Sequence, residues 1–328
     1  MILDQKLKQN ILDKFRDKKI AILYGGKSSE REVSLRSGQN VYNALMSFDE
    51  FKNNIILIDV QDTYDLVNQL KKENIKYCYN ILHGTYGEDG TIQGLLDSLN
   101  IKYTGENILV SSVCMNKVYT KRIWKSENIP TSNFLLVRDI ISVCEKYIKT
   151  NYTSIDFPLI LKHISNGSSV GVYLIKTKEE FENTINTIED KNNYFIEPFI
   201  QGKEITVGIV KSNNDIYTFP IIGINSKNEL YDYDAKYTKG KTELQIPAEI
   251  SKEIEYKVIE NMKKAYNILN CRGLCRIDAI ISKNDNEVYL MEINTQSGMT
   301  DTSDIPAMAR HIGMDFKDIV LYVLGLIK

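Results

Sequence analysis

Histidine is nearly absent from this chain, with three in 328 residues. Imidazole-rich metal centres and histidine-based triads therefore have little material to draw on. Cysteine is sparse and scattered, at Cys78, Cys114, Cys144, Cys271 and Cys275. Only Cys271 and Cys275 stand close together, and no second cysteine or histidine pair in the sequence completes a zinc set. Buried free thiols in a reducing compartment are the expectation. Neither sign of charge dominates. With 41 basic and 43 acidic side chains and a formal charge of -2, there is no bulk electrostatic case for nucleic acid or an anionic membrane. No apolar run approaches the roughly 20 residues of a membrane-spanning helix. Residues 1–19 alternate Leu, Ile and Phe with Lys and Asp at helical spacing. They lack the apolar centre of a signal peptide and read as a short amphipathic helix. Neither G-x-G-x-x-G nor G-x-x-x-x-G-K-[ST] occurs, which weakens a Rossmann reading and excludes a P-loop.

The chain is too long for one simple core, so two or three domains are expected. Its first part alternates strand and helix signals: strands at 19–24, 54–60 and 76–82, helices at 34–46 and 62–74. That order argues a parallel α/β layer. A helix over 116–128 follows, ended by Ile129-Pro130. Strands at 157–163, 170–175 and 194–198, with a helix over 178–188, make a smaller α+β unit. From Glu204 the chain is strand-rich, carries a polar, tyrosine-rich stretch at 225–242, and closes with helices over 251–269 and 316–327. Boundaries fall near 110 and 205.

The sharpest pattern is Arg276-Ile-Asp278 followed by Glu292-Ile-Asn294. Each triplet sits in an apolar strand-like run, 274–281 and 287–293, and a turn-like 282–286 separates them. Residues two apart share a strand face, so a hairpin brings three oxygen ligands and a guanidinium together. Oxygen-only ligation suits Mg²⁺, which keeps substrate phosphates and waters as its other ligands. A solvated strand face with ordinary ion pairs is the alternative. Other segments are less specific. Gly25-Gly26 ends a strand before a helix, a ready anion site, while Glu30 beside it suits a cationic amine. His83 opens a loop holding Gly84, Gly87 and Gly90 at a strand's C-terminal end, where α/β sheets bind ligands. Lys162 ends an apolar strand before the glycine/serine turn 166–171, which suits nucleotide phosphates. Residues 195–200, with Glu197 and then Glu204, fit an interdomain hinge against an adenine edge, with carboxylates for ribose hydroxyls. The stretch 231–240 suits a lid closing over a site.

In this order, Gly25 to Ser34, His83 to Gly90, Gly167 to Gly171, Tyr231 to Tyr237 and Arg276 through Gly298-Met-Thr300 resemble the D-alanine–D-alanine ligases of the ATP-grasp superfamily. The resemblance runs from about Lys19 to the C-terminus. It implies an α/β, three-domain ATP-grasp fold: an N-terminal parallel α/β substrate-binding domain (1–110), a central ATP-binding α+β domain (111–204), and a C-terminal α+β domain with lid and metal site (205–328). It implies that ATP phosphorylates one D-alanine carboxylate and that a second D-alanine's amine displaces phosphate, giving the dipeptide for peptidoglycan. Asp278, Glu292 and Asn294 match the family's ligands for Mg²⁺ or Mn²⁺, two ions in all. Arg276 and the Gly298 amide match the groups on the transferring phosphate and the tetrahedral intermediate. Lys117, Lys162 and Lys236 match the phosphate lysines, and Glu197 and Glu204 the carboxylates near adenine and ribose. Glu30 and His83 match the first D-alanine's ammonium and carboxylate partners. Ser168 and Tyr237 match the residues that join Glu30 in locking the lid, and Ser303 the holder of the second carboxylate. Tyrosine at 237 favours an amine acceptor. A cytoplasmic homodimer, with no nucleic-acid or membrane partner, is implied.

Four positions depart from the commonest family pattern. Asn116 stands where aspartate often precedes the lysine, His163 and Ser297 replace prolines, and Asp304 stands where leucine is usual. The last two bear on the acceptor, so ligation to D-serine stays open. So do a non-catalytic nucleotide-binding relative, which the intact metal ligands oppose, and another ATP-grasp carboxylate–amine ligase, which Glu30 and His83 oppose.

Overall fold

The structure is a computed structural model, and it describes residues 3–212, 215–226 and 241–327. The lid stretch 231–240, with Lys236 and Tyr237, lies outside the described residues.

The first layer is α/β. Helix α1 (Gln5–Phe15) precedes strand β1 (Ile20–Tyr24), which leads into α2 (Arg31–Met46); β2 (Ile55–Asp59), α3 (Thr63–Lys72), β3 (Tyr77–Asn80), α4 (Thr91–Ser98) and β4 (Lys102–Tyr103) follow. The strands form a parallel sheet in the order β2-β1-β3-β4. Ile20, Ala21, Ile22 and Leu23 are wholly buried, as expected of a central parallel strand covered on both faces. Asp62 caps α3 by accepting the Tyr64 and Asp65 amides. Gly25 and Gly26 take positive φ values of 76° and 79° at the end of β1. A Cβ on Gly25 would sit 2.0 Å from Asp59 Oδ1, so only glycine fits this turn.

The helix expected over 116–128 forms as α6 (Lys117–Ser126), and a further short helix not foreseen in the sequence, α5 (Ile108–Met115), precedes it. Asn116 between them is extended (φ -93°, ψ 98°), and its side chain caps α6 by accepting the Tyr119 amide. Asparagine favours such caps over helix interiors, which is why the chain breaks there.

Strands β5 (Leu135–Leu136), β6 (Ser142–Val143), β7 (Tyr147–Lys149), β8 (Ser154–Asp156), β9 (Leu159–His163) and β10 (Val172–Ile175) come next, then α7 (Lys178–Thr187) and β11 (Tyr194–Pro198). They make an antiparallel sheet β10-β9-β11-β5 and a small sheet β6-β7-β8. The third unit holds β12 (Gly202–Ser212), β13 (Asp215–Thr218), β14 (Ile222–Ser226), β15 (Thr242–Gln245), α8 (Lys252–Ile268), β16 (Leu274–Ser282) and β17 (Val288–Asn294). Its strands order as β15-β14-β12-β16-β17, with β13 beside β12. Helices α9 (Asp304–His311) and α10 (Phe316–Gly325) end the described chain. They turn back to the first layer: Ile305, Ile319 and Leu324 share one core with Ile11, Ile22 and Val41. Burying each such side chain contributes about 1.5–3 kcal/mol, so this shared core ties both ends of the chain together. No helix among the described residues is long and apolar enough to cross a membrane.

Candidate active site

The β16–β17 hairpin forms as its sequence predicts. Asn286 takes a left-handed φ of 56° in the connecting turn, a conformation asparagine tolerates well. Arg276 lies opposite Asn294 and Asp278 opposite Glu292, so all four share one sheet face. The register slips just beyond Asp278, and such a bulge re-aims side chains at sites of this kind. Two carboxylates directly opposed across strands repel, and the arrangement persists where cations offset them. Lys117 Nζ supplies one cation at 3.2 Å from Glu292 Oε2. Arg276 supplies another, bonding Asp278 through Nε and Nη2, both at 2.9 Å. Its Nη1 lies 3.3 Å from Asp304 Oδ2. Burial alone would lower the guanidinium's pKa, and Asp278 and Asp304 more than reverse that. Thr206, from neighbouring β12, donates to Asp278 Oδ1 at 2.5 Å. Asn294 Oδ1 accepts the Gln296 amide. Two carboxylates, an amide oxygen and no sulfur or imidazole fit a hard cation such as Mg²⁺ or Mn²⁺.

A basic wall stands beside this face. Lys117 also donates to the Asn166 carbonyl at 2.8 Å, which holds the glycine/serine loop against α6. Lys162 Nζ is 2.6 Å from Glu197 Oε1. Glu197 is wholly buried and does not line the cavity; Pro198 to Gln201 just after it do. Its other oxygen lies 2.8 Å from Lys121 Nζ. The Lys121 ammonium also donates to Thr131 Oγ1 at 2.9 Å and Ser132 Oγ at 2.8 Å. Its three donors thus meet three acceptors, which is how a buried ammonium stays charged. Burial alone would raise the Glu197 carboxyl, but Lys121 and Lys162 hold it down at about 2. His163, the residue in the proline's place, accepts the Ser165 and Asn166 amides on Nδ1, both at 3.1 Å. Its ring packs edge-on against Tyr194 with centroids 5.2 Å apart. That bonding requires a neutral ring, and burial lowers its pKa.

Opposite lies a carboxylate cradle. Glu30 opens α2 and accepts a hydrogen bond from Ser168 Oγ. A Cβ on Gly167 would sit 2.7 Å from Glu30 Oε2, and one on Gly84 3.0 Å away. Both glycines are therefore spaces that let two loops close on this carboxylate. His83 is 5% exposed and lines the cavity; its Nδ1 lies 3.3 Å from Glu88 Oε1, and its Nε2 has no hydrogen-bond partner among the described residues. Glu88 also accepts the Gly84 amide at 3.0 Å, and burial raises its carboxyl above the usual range. It fixes the ring so that Nε2 is left for another group. Ser303, at the cap of α9, accepts the Thr300 amide on Oγ at 3.0 Å and shares a hydrogen bond with Thr300 Oγ1 at 2.8 Å. A Cβ on Gly298 would approach Ser303 Oγ at 2.9 Å, so the chain passes close there.

These walls enclose one cavity of about 1060 Å³, large enough for a nucleotide and more by the roughly 300–1,000 Å³ of ordinary ligand pockets. Glu30, His83 and Ser168 line it; so do Lys117, Lys162 and Glu204, Arg276, Asp278, Glu292 and Asn294, and Gly298, Ser303 and Asp304. Of the residues expected at the site, Glu197 stands behind the wall, and Lys236 and Tyr237 lie outside the described residues. Sequence reading missed Lys121, Glu88 and Thr206. The Glu88 signal was present, a carboxylate inside the loop that His83 opens.

One parallel and two larger antiparallel sheets around a basic, metal-competent cavity place the chain in the ATP-grasp class. Family models for the D-ala D-ala ligase N-terminus match residues 19–73 and 59–106, and the model for the C-terminus matches 123–325. The D-alanine–D-alanine ligase of Carboxydothermus hydrogenoformans is 39% identical over 94% of this chain and 97% of its own length. That of Desulforamulus reducens is 40% identical over 92% and 96%. Among solved structures, the Bacillus anthracis D-alanine–D-alanine ligase superposes with a TM-score of 0.76 at 32% identity, covering 93% of this chain and 96% of that one. Its complex with ATP gives 0.75 at 31%, covering 94% and 95%. The chain belongs to the D-alanine–D-alanine ligase family.

Proposed function

We propose that the chain joins two D-alanines at the expense of ATP, giving D-alanyl-D-alanine, ADP and phosphate for peptidoglycan synthesis. One observation carries this: the Arg276/Asp278/Glu292/Asn294 face and the Glu30/His83 cradle line a single cavity. The first provides for a polyphosphate, the second for an amino acid, and ligation needs both. Glu30 takes the first D-alanine's ammonium, and His83 Nε2 its carboxylate. That carboxylate attacks the γ-phosphorus, with Lys117 and Lys162 on the phosphates, Lys236 near the γ-phosphate, and Arg276 on the transferring group. The second D-alanine, held at its carboxylate by Ser303, attacks the acyl carbon through its amine, and the Gly298 amide donates to the developing oxyanion. Asp278, Glu292 and Asn294 would hold Mg²⁺ or Mn²⁺, which when bound neutralises charge on the phosphate oxygens. Glu204 serves the ribose. Glu197 serves as the anchor of Lys162, because both its oxygens face lysines. Ser168 and Tyr237 join Glu30 in locking the lid.

The three domains expected from the sequence, 1–110, 111–204 and 205–328, a cytoplasmic location and a homodimer belong to the same proposal. The free thiols support a reducing compartment.

The test is an acceptor panel: ATP, Mg²⁺ and individual D-amino acids, with phosphate release and product mass recorded. D-Alanine should give the fastest release and the D-Ala-D-Ala mass. Faster turnover with D-serine would reassign the acceptor, a result Asp304 could explain since it lines the cavity beside Ser303. ATP turnover indifferent to D-alanine would refute the ligase reading.

A further inference from the structure

Two of the five cysteines meet a buried carboxylate outside the cavity's polar walls, and a third lies beside them. Glu106 follows β4 and is 1% exposed. Its Oε1 accepts the Gly273 amide at 2.7 Å and the Cys275 thiol at 3.4 Å, and both its oxygens accept the Arg272 amide at 2.9 Å. The donor atoms of Glu106, Cys271 and Cys275 all lie within 4.8 Å of one another, and all three residues are buried. Cys114, in the last turn of α5, lies beside Cys271 but outside this 4.8 Å set. The set thus draws on the first layer and on the base of β16, with α5 next to it. Its members are far apart in sequence, which hides the second half of a zinc-type set from any reading of spacing.

We propose that Glu106, Cys271 and Cys275 bind one thiophilic divalent cation of the Zn²⁺ class. Two sulfurs and one carboxylate oxygen supply three donors of the tetrahedral soft-donor environment zinc favours, and Cys271 and Cys275 have the short spacing seen in such sites. The Arg272 and Gly273 amides already orient the carboxylate, as outer-shell donors do for metal-bound carboxylates. Amide and thiol donors hold Glu106, and the Arg272 guanidinium acts on it without forming an ion pair among the described residues, so a bound cation would supply a contacting opposite charge. Cys114 borders the main cavity, which provides an entry path. On binding, each ligating thiol gives its proton to solvent and the sulfur pair goes to the cation, with no change in oxidation state. The cation would clamp the base of β16 one residue before Arg276. The proposal stands apart from the ligase reaction.

The test is Co²⁺ titration of the full chain after reduction and chelator treatment. One equivalent should produce intense near-ultraviolet thiolate-to-cobalt charge transfer, and Zn²⁺ should abolish it. The oxygen face of β16 and β17 cannot give that band, so Glu292→Gln should leave it intact. Cys271→Ser and Cys275→Ser should lose it, while Cys144→Ser should keep it. Glu106→Gln retains an acceptor for the amides and should weaken Zn²⁺ at least tenfold. Absence of the band in the unaltered protein, its survival in both serine variants, its loss in Cys144→Ser, or an unchanged Zn²⁺ affinity in Glu106→Gln would each overturn the site.

Discussion

Replacing Lys121 with methionine removes a cation that sits 1% exposed behind the basic wall. Methionine fills much of the same volume, so the change is chiefly electrostatic. Glu197, 0% exposed, would keep Lys162 and Ser132 but lose the Lys121 ammonium at 2.8 Å. Thr131 and Ser132 would each lose a donor. Breaking a buried pair by deleting one partner costs about 3–5 kcal/mol. At a few degrees per kcal/mol for chains of this order, the midpoint should fall by about 10 °C. Among the described residues Lys162 would then be Glu197's only ionic partner and less available to a ligand, so the KM for ATP should rise more than kcat falls. Acid sensitivity should change as well. Glu197 is held at about 2 against an ordinary 4.5, so the native protein gains stability that is complete above 4.5 and disappears as pH falls toward 2. Lys121→Met should shrink that gain. Adding Glu197→Gln to it should cost less than the sum of the two single changes, since they share one network. Thermal and urea unfolding across pH, with ATP saturation curves, measure all three effects. A stability loss under about 1 kcal/mol with unchanged acid sensitivity would refute the claim that this cluster holds the wall together.

Gly167→Ala places a methyl 2.7 Å from Glu30 Oε2, and should raise the KM for the first D-alanine by about tenfold or more, about 1.4 kcal/mol, with little loss of folding; an unchanged KM in steady-state kinetics would contradict the cradle. Glu292→Gln should cut turnover at least about a hundredfold while stability stays within about 1 kcal/mol, since relief of repulsion from Asp278 offsets the weakened attraction to Lys117; near-normal phosphate release would remove Glu292 from the metal face. His163 is neutral in the fold with its pKa lowered from 6.5, so its contribution is intact above that value and declines as pH drops below it. His163→Leu should be less stable at neutral pH and lose that part of the acid dependence; identical profiles in pH-dependent melts would refute the role.

The hairpin was legible because strand periodicity and turn chemistry fix which residues share a face, and Arg276, Asp278, Glu292 and Asn294 obey both. The first layer's alternation was legible for the same reason. Strands β6, β7 and β8, two or three residues each, are too short to show a period. Helix α9 was missed because it is short and carries Pro306 in its first turn, where proline is tolerated. Lys121 reads in sequence as one of several lysines on a helix; only the fold puts it against Glu197. Thr206 is likewise silent until β12 pairs with β16. The thiol cluster is the extreme case, since Glu106 and Cys114 meet Cys271 and Cys275 only when the first layer, α5 and the base of β16 pack together.

The central claim is that this cavity passes a phosphoryl group to a D-alanine carboxylate. Turnover of D-alanine labelled with ¹⁸O in its carboxylate tests that directly. The attacking oxygen becomes the bridge of an acyl phosphate and leaves with phosphorus when the second amine displaces it. The account predicts that each phosphate released alongside a dipeptide carries one oxygen from the labelled carboxylate. Unlabelled phosphate formed together with D-alanyl-D-alanine would contradict it.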